Sequence, residues 1–156
     1  MIHDDVTIVM QGPLNTKGGE MNRGVYNIPI YLQFVSTAII STWINPNVRP
    51  SRKFLIKNRL IYIEDDPTKY SEMYNWMNVN LQVASSLNGL EKVKTKYVIK
   101  ARCDEKYTNL SMFIETIKKH SELLTTQEPF YSHRRMAKEK YISDHLMGGL
   151  TEKMTN

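Results

Sequence analysis

Cysteine is almost absent from this chain: Cys103 is the only one in 156 residues. That excludes an intramolecular disulfide and a cysteine-rich zinc site, and it suits a reducing compartment. Long apolar runs are missing too. The longest, Val6 to Met10 and Ala38 to Ile40, fall far short of the roughly 20 residues that span a bilayer, so no transmembrane helix is expected. The opening Met1-Ile2-His3-Asp4-Asp5 carries acid where a signal peptide has a basic segment and then an apolar one, which disfavours secretion and gives a cytoplasmic location as the expectation. Neither a repeat nor a linker rich in Pro, Gly or Ser divides the chain. One domain over residues 1–156 is expected.

What is present is ordinary in amount and informative in order. Lys and Arg number 21 against 16 Asp and Glu, a formal charge of +5, and 41% of residues are hydrophobic. The excess suits a polyanionic partner such as a diphosphate, but it is modest for nucleic-acid binding. Val6-Thr7-Ile8-Val9-Met10 reads as a buried strand stopped by Gln11-Gly12-Pro13, ahead of a glycine-containing loop that runs to Gly24. The spacing of Ile30, Phe34 and Val35 predicts a short helix, and Thr37 to Trp43 a strand, with helix through Ile39 as the alternative. A turn follows at Asn45-Pro46-Asn47. Arg59 to Glu64 predicts another strand, cut off by Asp65-Asp66-Pro67. Apolar residues at threes and fours predict a long amphipathic helix between Ser71 and Val93, and a second from Leu110 to Leu124. Between them, Tyr97 to Asp104 is strand-like; a short strand at Phe130-Tyr131 comes later. Strands alternating with helical connections define an α/β class: a three-layer α/β/α sandwich with a mostly parallel sheet.

In such sheets ligands bind outside the carboxyl ends of the strands. Three of the expected strands end there in ligand-competent groups: Gln11-Gly12, Asp65-Asp66, and Arg102 with Asp104. The glycine loop fits neither phosphate fingerprint, since Lys17 stands where a P-loop needs its second glycine and no G-x-G-x-x-G occurs. Lys100-Ala101-Arg102-Cys103-Asp104-Glu105 is the densest charged strand end. With a side-chain period of two, Arg102 and Asp104 share a face, where they form either a surface ion pair or a cradle for a metal-bound diphosphate, the carboxylate taking Mg²⁺ or Mn²⁺ and the guanidinium the phosphate. Asp144, in a late acidic turn from Tyr141 to Gly149, is either a helix cap or a general base. His133-Arg134-Arg135 reads first as a solvated loop, and no His/Cys set has zinc spacing.

Six blocks in order carry a resemblance. They are Gln11-Gly12-Pro13-Leu14; Ile40-Ser41-Thr42-Trp43; Asp65-Asp66-Pro67; Asn80-Leu81-Gln82 with an Asn88-Gly89-Leu90 turn; Lys96 to Asp104; and Ile142-Ser143-Asp144. Together they resemble the WavE lipopolysaccharide-synthesis family of glycosyltransferases, from about Val6 to Gly149. The resemblance implies a GT-A type fold that binds a nucleoside-diphosphate sugar with a divalent cation, Mn²⁺ or Mg²⁺, and transfers the sugar to a hydroxyl of a glycan or glycoconjugate. It implies that Gln11, Gly12 and Pro13 line the nucleotide pocket with Thr42 and Trp43 nearby, and that Asp65 and Asp66 face the base or ribose. Asn80 and Gln82 would then reach the donor sugar, Lys100 and Arg102 the diphosphate, Asp104 the metal, and Asp144 the acceptor hydroxyl. The chain departs from the family's pattern at Leu81, where an arginine is usual, at Cys103, where a serine is usual, and at His145, where an aromatic is usual. It also stops seven residues after Gly149, whereas family members continue. A nucleotide-sugar binding module without catalysis, and a basic nucleic-acid-binding domain, are the competing expectations.

Overall fold

A computed structural model describes residues 1–14, 24–45, 49–70, 79–120, 122–125 and 145–155. Its elements are β1 (His3–Gln11), α1 (Gly24–Tyr31), β2 (Val35–Trp43), α2 (Arg52–Lys57), β3 (Ile61–Asp65), a 3-10 turn at Pro67–Tyr70, α3 (Val79–Leu90), β4 (Tyr97–Arg102), α4 (Ser111–Lys119), β5 (Leu124–Thr125), β6 (Leu146–Leu150) and α5 (Thr151–Thr155). The described strands form one sheet in the order β3-β2-β1-β4-β6-β5. β3, β2, β1 and β4 are mutually parallel, while β6 runs antiparallel to β4 and β5 antiparallel to β6. The expectation of an α/β fold with a mostly parallel sheet holds.

Both faces of this sheet are covered, and the sequence of its central strands follows from that. Val6 to Gln11 and Ala38 to Trp43 are buried without interruption, because a parallel strand under helices on two sides has no solvent face to fill with polar residues. Alternate residues supply two cores. Ile8, Met10, Ala38, Ile40, Ile99 and Ala101 meet Ile28 and Tyr31 of α1 and Ile114 and Ile117 of α4. Val9, Ile39 and Val98 point the other way, to Leu90 of α3 and Met154 of α5. The two helical layers therefore sandwich the sheet.

Several sequence expectations shift. Val35 opens β2 rather than closing a helix, so the helix alternative through Ile39 fails: β-branched residues buried on both faces favour the ladder. α1 ends at Tyr31 and contains Pro29. The Asn88-Gly89-Leu90 turn is instead the last turn of α3. A Cβ on Gly89 would lie 2.4 Å from Val9 Cγ1 and 3.1 Å from Ser41 Cβ, so glycine is there to let the helix press on β1 and β2. The strand-like stretch at 97–104 stops at Arg102, and Asp104 sits in the turn beyond it. Gly148 and Gly149, read as part of an acidic turn, lie in β6; a Cβ on Gly148 would lie 2.8 Å from Phe113 Cε1 and 3.1 Å from the Val98 carbonyl oxygen. α2, capped by Ser51, whose hydroxyl accepts from the Phe54 N–H at 3.2 Å, was not foreseen. Residues 15–23, 46–48, 71–78 and 126–144 lie outside the described set, and with them most of the glycine loop, the turn at Asn45-Pro46-Asn47, the first part of the expected long helix, the Phe130-Tyr131 strand and the His133-Arg134-Arg135 group.

Candidate functional site

The strand order defines where a ligand would sit. From β1 the chain moves outward through β2 to β3, then crosses to the other side of β1 to form β4, goes on to the edge at β5 and returns to place β6 between β4 and β5. Connections leaving the carboxyl ends of β1 and β4 thus diverge, the arrangement that in open α/β sheets puts the ligand crevice at the topological switch point. Gln11 and Arg102 are register partners at that edge. The Gln11 carbonyl accepts from the Cys103 N–H at 2.8 Å, and the Gly12 N–H donates to the Ser41 carbonyl at 3.2 Å. Gly12 is buried and has φ +101, with nothing among the described residues within 4 Å of where a Cβ would stand, a backbone conformation that glycine adopts without strain.

Arg102 and Asp104 form a two-pronged pair, Nε to Oδ1 at 2.9 Å and Nη2 to Oδ2 at 2.6 Å, with both side chains partly buried. Arg102 holds the Asp104 carboxyl below the usual carboxylate range. Of the two sequence alternatives, the ion pair is present, and it stands at the switch point. Glu105 continues the cluster, its carboxylate joined to the His145 ring at Nδ1 and to the Tyr107 hydroxyl. Its backbone carbonyl accepts from Asn27 Nδ2 at 2.7 Å and from the Tyr31 hydroxyl at 3.2 Å, and the same hydroxyl accepts from the Tyr107 N–H at 3.3 Å. Burial lifts the Tyr31 phenol to about 12, which keeps it a donor. Thus α1 grips the acidic turn after β4 from below.

None of these supporting residues was foreseen. Their one sequence signal is indirect: the antiparallel pairing of Ala101 with Leu146 brings His145 level with Arg102, and that pairing is invisible without the sheet.

The other expected site residues divide. Gln11 is buried, its Oε1 accepting from the Ser85 hydroxyl of α3 at 3.0 Å, so its side chain ties β1 to the helix while its backbone borders the crevice. Pro13 is exposed at the edge. Thr42 is 1% exposed and its Oγ1 has no hydrogen-bond partner among the described residues. Trp43 stacks edge-on against Tyr70 at 5.7 Å. Asp65 accepts from Lys69 at 2.7 Å, Tyr70 at 2.7 Å and Asn88 at 3.0 Å, and Asp66 accepts from the Thr68 N–H and hydroxyl at 2.9 and 2.7 Å. Gln82 and Lys100 line a groove between α3 and β6, removed from Gly12. For Asn80 the structure describes the backbone within α3 and not the side chain, and Asp144 lies outside the described residues.

For a divalent cation, the described residues offer no group of three or more His, Cys, Asp or Glu that could enclose one. Asp104 supplies carboxylate oxygens at the edge of the crevice, which fits a hard cation that takes most of its remaining ligands from phosphate and water.

The fold defines the class: an α/β protein with a mostly parallel sheet flanked by helices and a topological switch point between β1 and β4. The model of the WavE lipopolysaccharide synthesis family matches residues 6–151, and the chain belongs to that family, as its ordered blocks indicated. This places it in glycan biosynthesis. No curated protein matches it. Among the described residues no helix is long and apolar enough to cross a membrane.

Proposed function

We propose that the protein is a glycosyltransferase of GT-A type that moves a sugar from a nucleoside-diphosphate donor to a glycan hydroxyl with the help of a divalent cation. The observation that carries this reading is the Arg102–Asp104 pair at the switch point, level with the end of β1 at Gln11, in a chain of a lipopolysaccharide-synthesis family. The nucleotide would lie along the β1 and β2 ends, where the chain turns at Gly12 and where the Thr42 hydroxyl, without a partner among the described residues, would take one from the ligand. Arg102 would turn from Asp104 to the diphosphate, for which a planar fork of N–H donors is suited. Asp104, released, would hold the cation, which when bound neutralises charge on the departing diphosphate. Asn27 and Tyr31 keep the turn that carries Asp104 in place. Asp144 would take the acceptor proton if the reaction inverts configuration. A cytoplasmic location goes with this reading.

The test is calorimetry of the protein against UDP and GDP, each with and without Mn²⁺. Metal-dependent binding of one nucleotide is expected. Failure of both, with metal present, removes the donor site; binding without turnover of any donor sugar supports a nucleotide-sugar module instead.

A further inference from the structure

Arg102 stands between two carboxylates. It is forked to Asp104 through Nε and Nη2, while Glu105 Oε1 lies 3.7 Å from the same Nε. That second contact is longer than a hydrogen bond, yet Glu105 is fixed in place from several sides. Its Oε1 accepts from the His145 ring at Nδ1 and its Oε2 from the Tyr107 hydroxyl. Its backbone is held as well: the N–H donates to the Arg102 carbonyl at 3.4 Å, and the carbonyl accepts from Asn27 and Tyr31. His145 is tied to β4 in turn, because its own carbonyl accepts from the Arg102 N–H at 3.3 Å. The side chains of Arg102, Glu105 and His145 are all mostly buried.

If Asp104 turns to a cation, Arg102 loses both bonds of its fork at once. A released guanidinium on its long stem spreads over many rotamers, and ordering it again on a phosphate costs entropy. Glu105 is placed to prevent that spread. A carboxylate has about four acceptor sites, so Glu105 can take the Arg102 Nε–H without giving up His145 or Tyr107, the contact closing from 3.7 Å to about 2.8 Å. With Nε held, the two Nη groups present the end-on fork that grips a phosphate. We infer that Glu105 is a positioning residue for the donor diphosphate, receiving Arg102 when Asp104 turns to the cation, and that His145 and Tyr107 set its orientation. The inference rests on the donor-site reading above and adds to it the residue that decides where the guanidinium points.

Calorimetry of the parent, Glu105→Gln, His145→Asn and His145→Leu against UDP and GDP with Mn²⁺ tests it, with a thermal melt of each protein. Glu105→Gln keeps the shape and removes the charge, and it should weaken the nucleotide by about fivefold or more. In His145→Asn an amide N–H takes the place of Nδ1–H, so binding should stay within about twofold of the parent, whereas His145→Leu should weaken it by about threefold or more. The Leu variant leaves Glu105 in place and carries the same test if Glu105→Gln does not fold. The NMR signal of the Arg102 Nε–H, assigned by its loss in Arg102→Lys, separates positioning from support of the fold. With nucleotide and Mg²⁺ bound, this proton should exchange with water about fivefold or more slower in the parent than in Glu105→Gln. Nucleotide affinity within about twofold of the parent in Glu105→Gln, or equal exchange of the Arg102 proton in the two proteins, overturns the inference and leaves the donor site standing. Equal weakening by the two His145 variants overturns the part given to His145. If the parent binds neither nucleotide, the donor-site reading falls and the positioning role with it.

Discussion

Two strand ends in this molecule carry acid, and they have opposite fates. At the end of β3, Asp65 is claimed on every side, by Lys69, Tyr70 and Asn88, and Asp66 folds back on Thr68. These carboxylates fasten the 3-10 turn to β3 and to α3. At the end of β4, among the described residues, the Asp104 carboxylate is bonded to Arg102, and both stand where the chain's direction across the sheet reverses. Acid after a strand is the same signal in sequence in both places. What separates a structural clasp from a candidate site is the position of the strand in the sheet, and whether the partner is a group that a ligand's phosphate could replace.

The sharpest way to break this comparison is to exchange the substitutions. Asp104→Ala should weaken Mn²⁺-dependent nucleotide binding by at least about tenfold while leaving urea stability nearly unchanged, since a partly exposed ion pair contributes little. Asp65→Ala should do the reverse. It strands the Tyr70 hydroxyl and the Asn88 amide, costing about 1–2 kcal/mol in urea melts, with nucleotide affinity within about twofold of the parent. If Asp65→Ala abolished binding and kept stability, the division drawn between the two ends would be wrong.

Acid titration sharpens the same contrast. Hydrogen bonds from Lys69 and then Tyr70 hold the Asp65 carboxyl far below its ordinary value. A group lowered in the folded state contributes stability that is fully present above the unfolded carboxylate value, near pH 4, and is lost as pH falls from there through the folded value. Asp65→Asn should therefore be less stable than the parent at pH 7, and the gap should narrow steadily below about pH 4. Parallel urea melts at pH 7 and pH 3 would measure it. A gap that stayed constant would mean that the carboxylate's charge plays no part in the clasp.

How much of this was legible in sequence depends on range. Val6 to Met10 announced β1 because five consecutive apolar or β-branched residues before Gln11-Gly12 leave few alternatives, and Arg102 and Asp104 were found as a pair from spacing alone. β6 was hidden, because Gly148 and Gly149 look like a turn until Phe113 and the Val98 carbonyl are seen to occupy the space a side chain would need. Gly89 misled in the same way. The Glu105–His145 contact and the grip of Asn27 and Tyr31 span 40, 78 and 74 positions; no local pattern encodes pairings that exist only once β4 lies between α1 and β6. Lys100 was assigned to the diphosphate because it shares a charged stretch with Arg102. Its burial beside Leu90 and Met147 is set by α3 and β6, which the stretch itself does not contain.

Thr42 gives the smallest and most discriminating effect. A buried hydroxyl with no partner among the described residues destabilises the free protein. Thr42→Val keeps the β-branched shape and removes the oxygen. In the free protein it should be neutral or stabilising by up to about 1 kcal/mol, read from urea melts. If the hydroxyl serves a nucleotide, the same change should weaken nucleotide binding by about threefold to tenfold, so stability and affinity move in opposite directions. Asp65→Ala loses stability and keeps affinity, Asp104→Ala loses affinity and keeps stability, and Thr42→Val alone trades one against the other. A variant that lost both would assign Thr42 to packing at the end of β2 and would take the nucleotide away from that strand.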